Sequence, residues 1–173
     1  MSFKSSISIV VASLAILFVS TTANAEIIKK TLNTSDAMLF KRMFVEKSVT
    51  MPQLKVFNND GVLLYGTNTL DKELVKNVMQ AVKKADQSGD NELAKHLDGF
   101  KDESGTPLKT DSFKASNLII VESYVEWFEG SQTQRKDLQQ ILASLSDQNV
   151  LWLELDVDPK KMKGANVTVT NID

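Results

Sequence analysis

The chain has 173 residues, a formal net charge of −2 from 20 Lys and Arg against 22 Asp and Glu, and no cysteine. The missing thiol excludes disulfides and dithiol exchange, because the thiolate is the nucleophile that this chemistry requires. Basic residues scattered among acids exclude the one-sided cationic footprint of a nucleic-acid binder, so no nucleic-acid partner is expected.

Residues 1–25 read as a cleaved export signal. Lys4 supplies the positive start, Ile7 to Val19 the apolar stretch, and Ala23-Asn24-Ala25 a small-x-small cleavage site. Ser8 and Ser13 interrupt the apolar stretch, which falls short of the roughly 20 residues a spanning helix needs. No membrane span is therefore expected after cleavage. An exported domain without cysteine must hold together by packing alone, which suits the bacterial periplasm, with secretion as the second choice. Residues 26–173 suffice for one compact core and read as a single domain.

Ser35-Asp36 precedes Ala37 to Val45 as the capped start of a short helix. Val49 to Phe57 reads as extended, Asn58-Asn59-Asp60-Gly61 as a turn and Val62 to Tyr65 as a returning strand, which predicts a hairpin over 53–65. Thr69 or Asp71 caps a helix in which Leu74, Val75, Val78, Met79 and Val82 recur at helical spacing. This helix closes a first half, 35–85. Residues 86–116 are rich in turn formers around one amphipathic stretch, Leu93 to Phe100, and read as a connector with a helical turn or two. The second half, 117–158, opens with Leu118-Ile119-Ile120-Val121, a strand buried on both faces. It continues with a helix from about Gln132 to Leu145 and a strand from Val150 to Val157. The tail, 159–173, carries Val167 to Thr170 as an edge strand. The expected class is α/β, with two to three layers and a mixed sheet of about four or five strands flanked by helices.

Trp127-Phe128-Glu129-Gly130-Ser131 follows the strand-like run Asn117 to Val125. Together with Glu122 in that run and the helix and strand after it, this resembles the β-α-β half of a thioredoxin, with Phe128 and Ser131 at the positions of the two active-site cysteines. Val49 to Gly61 resembles the family's cis-proline segment and following strand, and Leu64 to Ala85 its last strand and helix. These pieces lie upstream of the half they should follow. The chain thus resembles a circularly permuted thioredoxin, cut before the helix that precedes the proline and rejoined through 86–116. Permutation is tolerated where the cut falls in an exposed connection, and about 30 residues at roughly 3.3 Å each bridge a small domain.

The resemblance implies a cis Met51-Pro52 bond and a surface of Met51, Pro52, Trp127, Phe128, Glu129, Gly130 and Ser131 that pairs with an extended peptide or an envelope protein. It implies no redox activity, because the cysteines are replaced. Glu122 is the buried-acid candidate, with a pKa expected to rise by desolvation. Ser131 sits at a helix start, and the sole histidine, His96, lies in the connector, so Ser131 is expected to be structural rather than a nucleophile. A thiol-independent enzyme using the Glu129 to Ser131 turn and Glu122, or a structural component of an envelope assembly, stands as the alternative. No metal or cofactor is expected. Asp86, Ser88 and Asp90 match part of a calcium loop, but Asn91 replaces its glycine and Leu97 its glutamate. Asp156 and Asp158 read as a solvated turn.

Overall fold

The computed structural model describes residues 25–84 and 89–162. The export signal apart from Ala25, Asp86 and Ser88, and the expected edge strand Val167 to Thr170 lie outside the described residues. Five strands form one mixed sheet in the order β1-β5-β4-β2-β3: β1 (Ile27–Thr31), β2 (Gln53–Asn58), β3 (Leu63–Thr67), β4 (Leu118–Tyr124) and β5 (Val150–Asp156). β1, β5 and β4 run parallel, whereas β2 pairs antiparallel with both β4 and β3.

The central strands are those whose sequences are apolar without a break. β4 and β5 are buried along all but their last residue, as a strand covered on both faces requires. Parallel neighbours need a crossover, and α4 (Glu129–Ser144) provides it. Leu138, Ile141, Leu142 and, just past the helix end, Leu145 are buried at spacings of three, four and seven residues, one apolar stripe aimed at the sheet. With α2 (Leu74–Lys83), α4 covers the face bearing Leu54, Val56, Ile120 and Trp152. Asp71 rather than Thr69 organises the start of α2: its carboxylate accepts from the Glu73 N–H at 2.8 Å, from Asn77 Nδ2 at 2.8 Å and from the Tyr65 hydroxyl at 2.5 Å.

On the opposite face, α1 (Asp36–Phe40) runs into a wider π turn, Lys41–Val45. Ser35 Oγ accepts the Met38 N–H at 3.3 Å, the expected cap. α3 (Glu92–Leu97) and a 3-10 turn at Thr110–Phe113 complete this layer. The segment 86–116 therefore holds the expected helical turns, yet it is more than a spacer. Leu93, Leu97, Phe100 and Phe113 are buried in one core with Leu39, Met43, Phe57, Ile119 and Leu153.

The hairpin turn is tied to this segment. Asn58 Oδ1 accepts the N–H groups of Asp60 and Val62 at 3.0 and 2.9 Å, and the Gly61 carbonyl accepts the Leu93 N–H at 3.1 Å. Gly61 has φ +82°, and a Cβ there would lie 2.3 Å from Asn91 Oδ1, the atom that caps α3 through the Ala94 N–H at 2.9 Å. Glycine is thus required by both dihedral and space.

Several elements differ from the reading of the sequence. β2 begins at Gln53, with Met51-Pro52 in the cis form just before it. α4 begins at Glu129, three residues earlier than its apolar spacing indicates. Residues 27–31 form an edge strand that the sequence did not announce. None of its side chains is buried, so no alternation of apolar and polar residues marks it. It is held instead by backbone pairing to β5, and its two lysines suit an exposed edge.

Candidate functional site

The turn between β4 and α4 meets the segment before β2 at one end of the sheet. The Phe128 N–H donates to the Val125 carbonyl at 3.1 Å, closing the turn. Phe128 is the N-cap residue of α4 and offers no side-chain acceptor to the helix. Ser131, three residues on, reaches back out of the first turn: its Oγ accepts the Val125 N–H at 3.1 Å. The side chain is 1% exposed. Ser131 is therefore a bracket between strand and helix. Gln134, one turn later and also buried, donates from Nε2 to the Gln53 carbonyl at 3.2 Å. That bond fixes the residue after Pro52 against α4.

A groove of about 460 Å³, open to solvent, lies between these pieces. Its walls are mainly apolar and come from Met51-Pro52, from Thr69-Leu70 before α2, and from Phe128, Glu129, Gly130 and Thr133 at the start of α4. Leu70 is 38% exposed. Phe128 and Met51 are half-buried, each with one side on the main core. The Phe128 ring lies across the α4 backbone, because a Cβ at Gly130 would sit 2.7 Å from its Cε1. Gly130 needs no unusual φ; it is the space that calls for glycine. Neither the Met51 N–H nor its carbonyl makes a backbone hydrogen bond among the described residues.

Of the residues singled out from the sequence, Met51, Pro52, Phe128, Glu129 and Gly130 converge on this groove, whereas Ser131, expected on the same surface, is buried and does not line it. Trp127, expected on the same apolar rim, does not line it. It packs half-buried on the core, with the Lys160 ammonium 4.1 Å from its ring centre, a cation–π contact. Thr69, Leu70 and Thr133 were not anticipated. Leu70 had a signal: a large apolar residue in a polar loop, off the apolar stripe of α2.

Glu122 lies behind the turn, on the sheet face covered by α4, and is fully buried. Glu154 is its register partner on β5. Arg135 bridges the pair, with Nε 3.3 Å from Glu122 Oε2 and Nη2 2.6 Å from Glu154 Oε2. Its guanidinium also stacks 3.5 Å from the Tyr124 ring centre. Lys29 on β1 reaches Glu154 Oε2 at 2.9 Å. Among the described residues Glu122 Oε1 has no hydrogen-bond partner. Burial pushes the Glu122 carboxyl above the usual carboxylate range, Arg135 opposes that, and Glu154 adds to it. Desolvation thus outweighs a cation at close range. Arg135 and Gln134 could have been suspected from sequence: with Ser131 and Leu138 they place polar residues on the buried stripe of α4.

Asp156 and Asp158 form a capped turn: Asp156 Oδ1 accepts the Asp158 N–H at 3.0 Å, Asp158 Oδ1 accepts the Lys160 N–H at 2.9 Å, and Lys161 pairs with Asp156. Asp158 is buried rather than solvated. Among the described residues no group of three or more His, Asp or Glu converges to hold a metal ion, and no helix is long and apolar enough to cross a membrane. Comparison with family models, with curated proteins and with solved structures finds no match to this chain.

Proposed function

We propose that the chain is an exported, non-redox, thioredoxin-like protein in circularly permuted order, whose groove beside Met51-Pro52 binds an extended segment of an envelope protein. The observation that carries this reading is the groove itself. Three stretches far apart in sequence, 51–52, 69–70 and 128–133, supply one apolar cleft with the unpaired backbone of Met51 at its side. An extended peptide gains main-chain hydrogen bonds from such a backbone and places alternate side chains in the cleft. The permuted reading is supported by a parallel β4-α4-β5 unit next to an antiparallel β2-β3 hairpin, with the Trp127 to Ser131 turn and Pro52 at the same end of the sheet. The buried, engaged hydroxyl of Ser131 offers no exposed nucleophile at the turn, which favours binding over thiol-independent catalysis. Export to the periplasm rests on the pattern of residues 1–25.

The test is chemical-shift mapping of the mature chain with a pool of unstructured, apolar-rich peptides. The expected outcome is perturbation confined to residues near Met51, Leu70 and Phe128, and its loss in Phe128→Asp while the fold persists. Perturbation elsewhere, or peptide binding unchanged by Phe128→Asp, would remove the basis of the proposal. Cell fractionation with and without residues 1–25 checks the compartment.

A further inference from the structure

A second concavity, on the opposite face of the sheet from Glu122, lies between β2, α1 with its π turn, and α3. It encloses about 400 Å³ and is open to solvent. Lys55, on a strand with sheet neighbours on both sides, projects into it half-buried. Its Nζ lies 3.2 Å from His96 Nδ1. Among the described residues no carboxylate lies within ion-pair distance of Lys55. An interior lysine is ordinarily paired with an acid; here the close partner is an imidazole.

The groups facing Lys55 are Arg42, Glu46, Asp90, Glu92, Lys95 and His96. His96 is 7% exposed, and burial, reinforced by Lys55 and Arg42, drives its pKa down to about 3, so it contributes no charge at neutral pH. Arg42 is buried too, and donates from Nη1 and Nη2 to the carbonyls of His96 and Asp98, each at 2.6 Å. Those bonds hold a permanent positive charge beside Lys55. Glu46 is occupied by Lys41 at 2.9 Å. Glu92 acts on Lys55 from beyond pairing range and favours the ammonium, but burial and Arg42 disfavour it, and the lysine pKa falls below its ordinary value. A desolvated lysine beside another cation is the arrangement that makes an amine nucleophilic near neutral pH.

We propose that Lys55 is a nucleophilic lysine whose amine condenses with small aldehydes that enter this pocket. The neutral amine nitrogen adds to the carbonyl carbon to give a carbinolamine, both nitrogen protons pass through solvent to the former carbonyl oxygen, and that oxygen leaves as water as the C=N bond of the imine forms. His96, hydrogen-bonded at Nδ1, orients the amine without supplying the negative charge that would hold it as an ammonium.

The experiment incubates the mature chain with propanal and sodium cyanoborohydride, which reduces the imine to a stable secondary amine, and maps the modified lysines by peptide mass spectrometry. At pH 7, Lys55 is expected to be alkylated several-fold faster than exposed Lys95 in the same pocket. That lead should close at pH 10, near the ordinary lysine pKa of about 10.4, and widen at pH 7 in Glu92→Gln. Alkylation of Lys55 at or below the rate of Lys95 at pH 7 would overturn the proposal, as would a lead of equal size at pH 10, which would assign the selectivity to access alone.

Discussion

Arg135→Met is the sharpest perturbation available, because it strands Glu122. The guanidinium Nε lies 3.3 Å from a carboxylate that is fully buried. At an effective dielectric constant of about 20, two unit charges at that distance attract by roughly 5 kcal/mol. Arg135 itself is 31% exposed, so solvent screens part of this, and we expect a loss of about 3 kcal/mol, at the low end of the range for a broken buried pair. Glu154 keeps Lys29 and suffers less.

The loss should depend on pH with a definite sign. A carboxyl whose folded pKa is raised binds more protons in the folded state, so stability is full below the unfolded pKa, near 4.3, and falls as pH rises through the folded value. Removing Arg135 raises the folded pKa of Glu122 further and carries that fall to higher pH. His96 works in the other direction, since its depressed folded pKa makes stability fall as pH drops below about 6.5. It is present in both proteins and cancels in the difference. Urea denaturation of the wild type and Arg135→Met between pH 5 and pH 8 should therefore show a deficit that is largest at pH 8 and shrinks toward pH 5. Glu122→Gln/Arg135→Met should recover most of it, short of the stacking on Tyr124, worth about 0.5–1 kcal/mol. A deficit independent of pH, or a double variant no more stable than the single one, would refute the argument that an uncompensated buried charge causes the loss.

Ser131→Ala removes the acceptor of the buried Val125 N–H and should destabilise the fold by about 1–3 kcal/mol in chemical denaturation; a neutral substitution would mean the bracket contributes nothing. Gly130→Ala gains at most about 1 kcal/mol of helix propensity, the helix-interior value, at the second position of α4, but forces the Phe128 ring aside. Its melting temperature should change little, while the Phe128 ring resonances shift and peptide binding at the groove weakens; an unmoved ring would contradict the packing described. Phe128→Cys with Ser131→Cys should form a reversible, easily reduced bridge at the helix start, since Cα atoms roughly 4.4–6.8 Å apart meet disulfide geometry, and a thiolate at a helix N-terminus is stabilised. Free thiols at both positions in the oxidised, folded protein, read by mass spectrometry, would count against the thioredoxin-like turn.

The elements legible along the chain are those whose residues repeat with a clear period or carry a specific turn residue. Leu118 to Val121 announced a doubly covered strand, the stripe from Leu138 to Leu145 announced a helix, and Asn58 to Gly61 announced the hairpin, because each pattern has one backbone geometry that buries or tolerates it. The meeting of Met51-Pro52 with Phe128, Glu129 and Gly130 has no periodic signal of its own. The remaining features depend on long-range pairing. β1 exists because β5 offers it a backbone edge, and its side chains, none of them buried, carry no periodic signal of that pairing. The early start of α4 follows from Ser131 bonding back to Val125, a contact across the turn that no apolar spacing reports. The segment 86–116 looked like a linker because turn formers surround its one amphipathic stretch, Leu93 to Phe100, and separate it from Phe113, and these residues count as core only once the sheet stands beneath them. The partners of Glu122 and Lys55 were the least legible of all: Arg135 lies 13 residues from Glu122 and His96 lies 41 from Lys55, and each pair meets only when a helix docks on a strand.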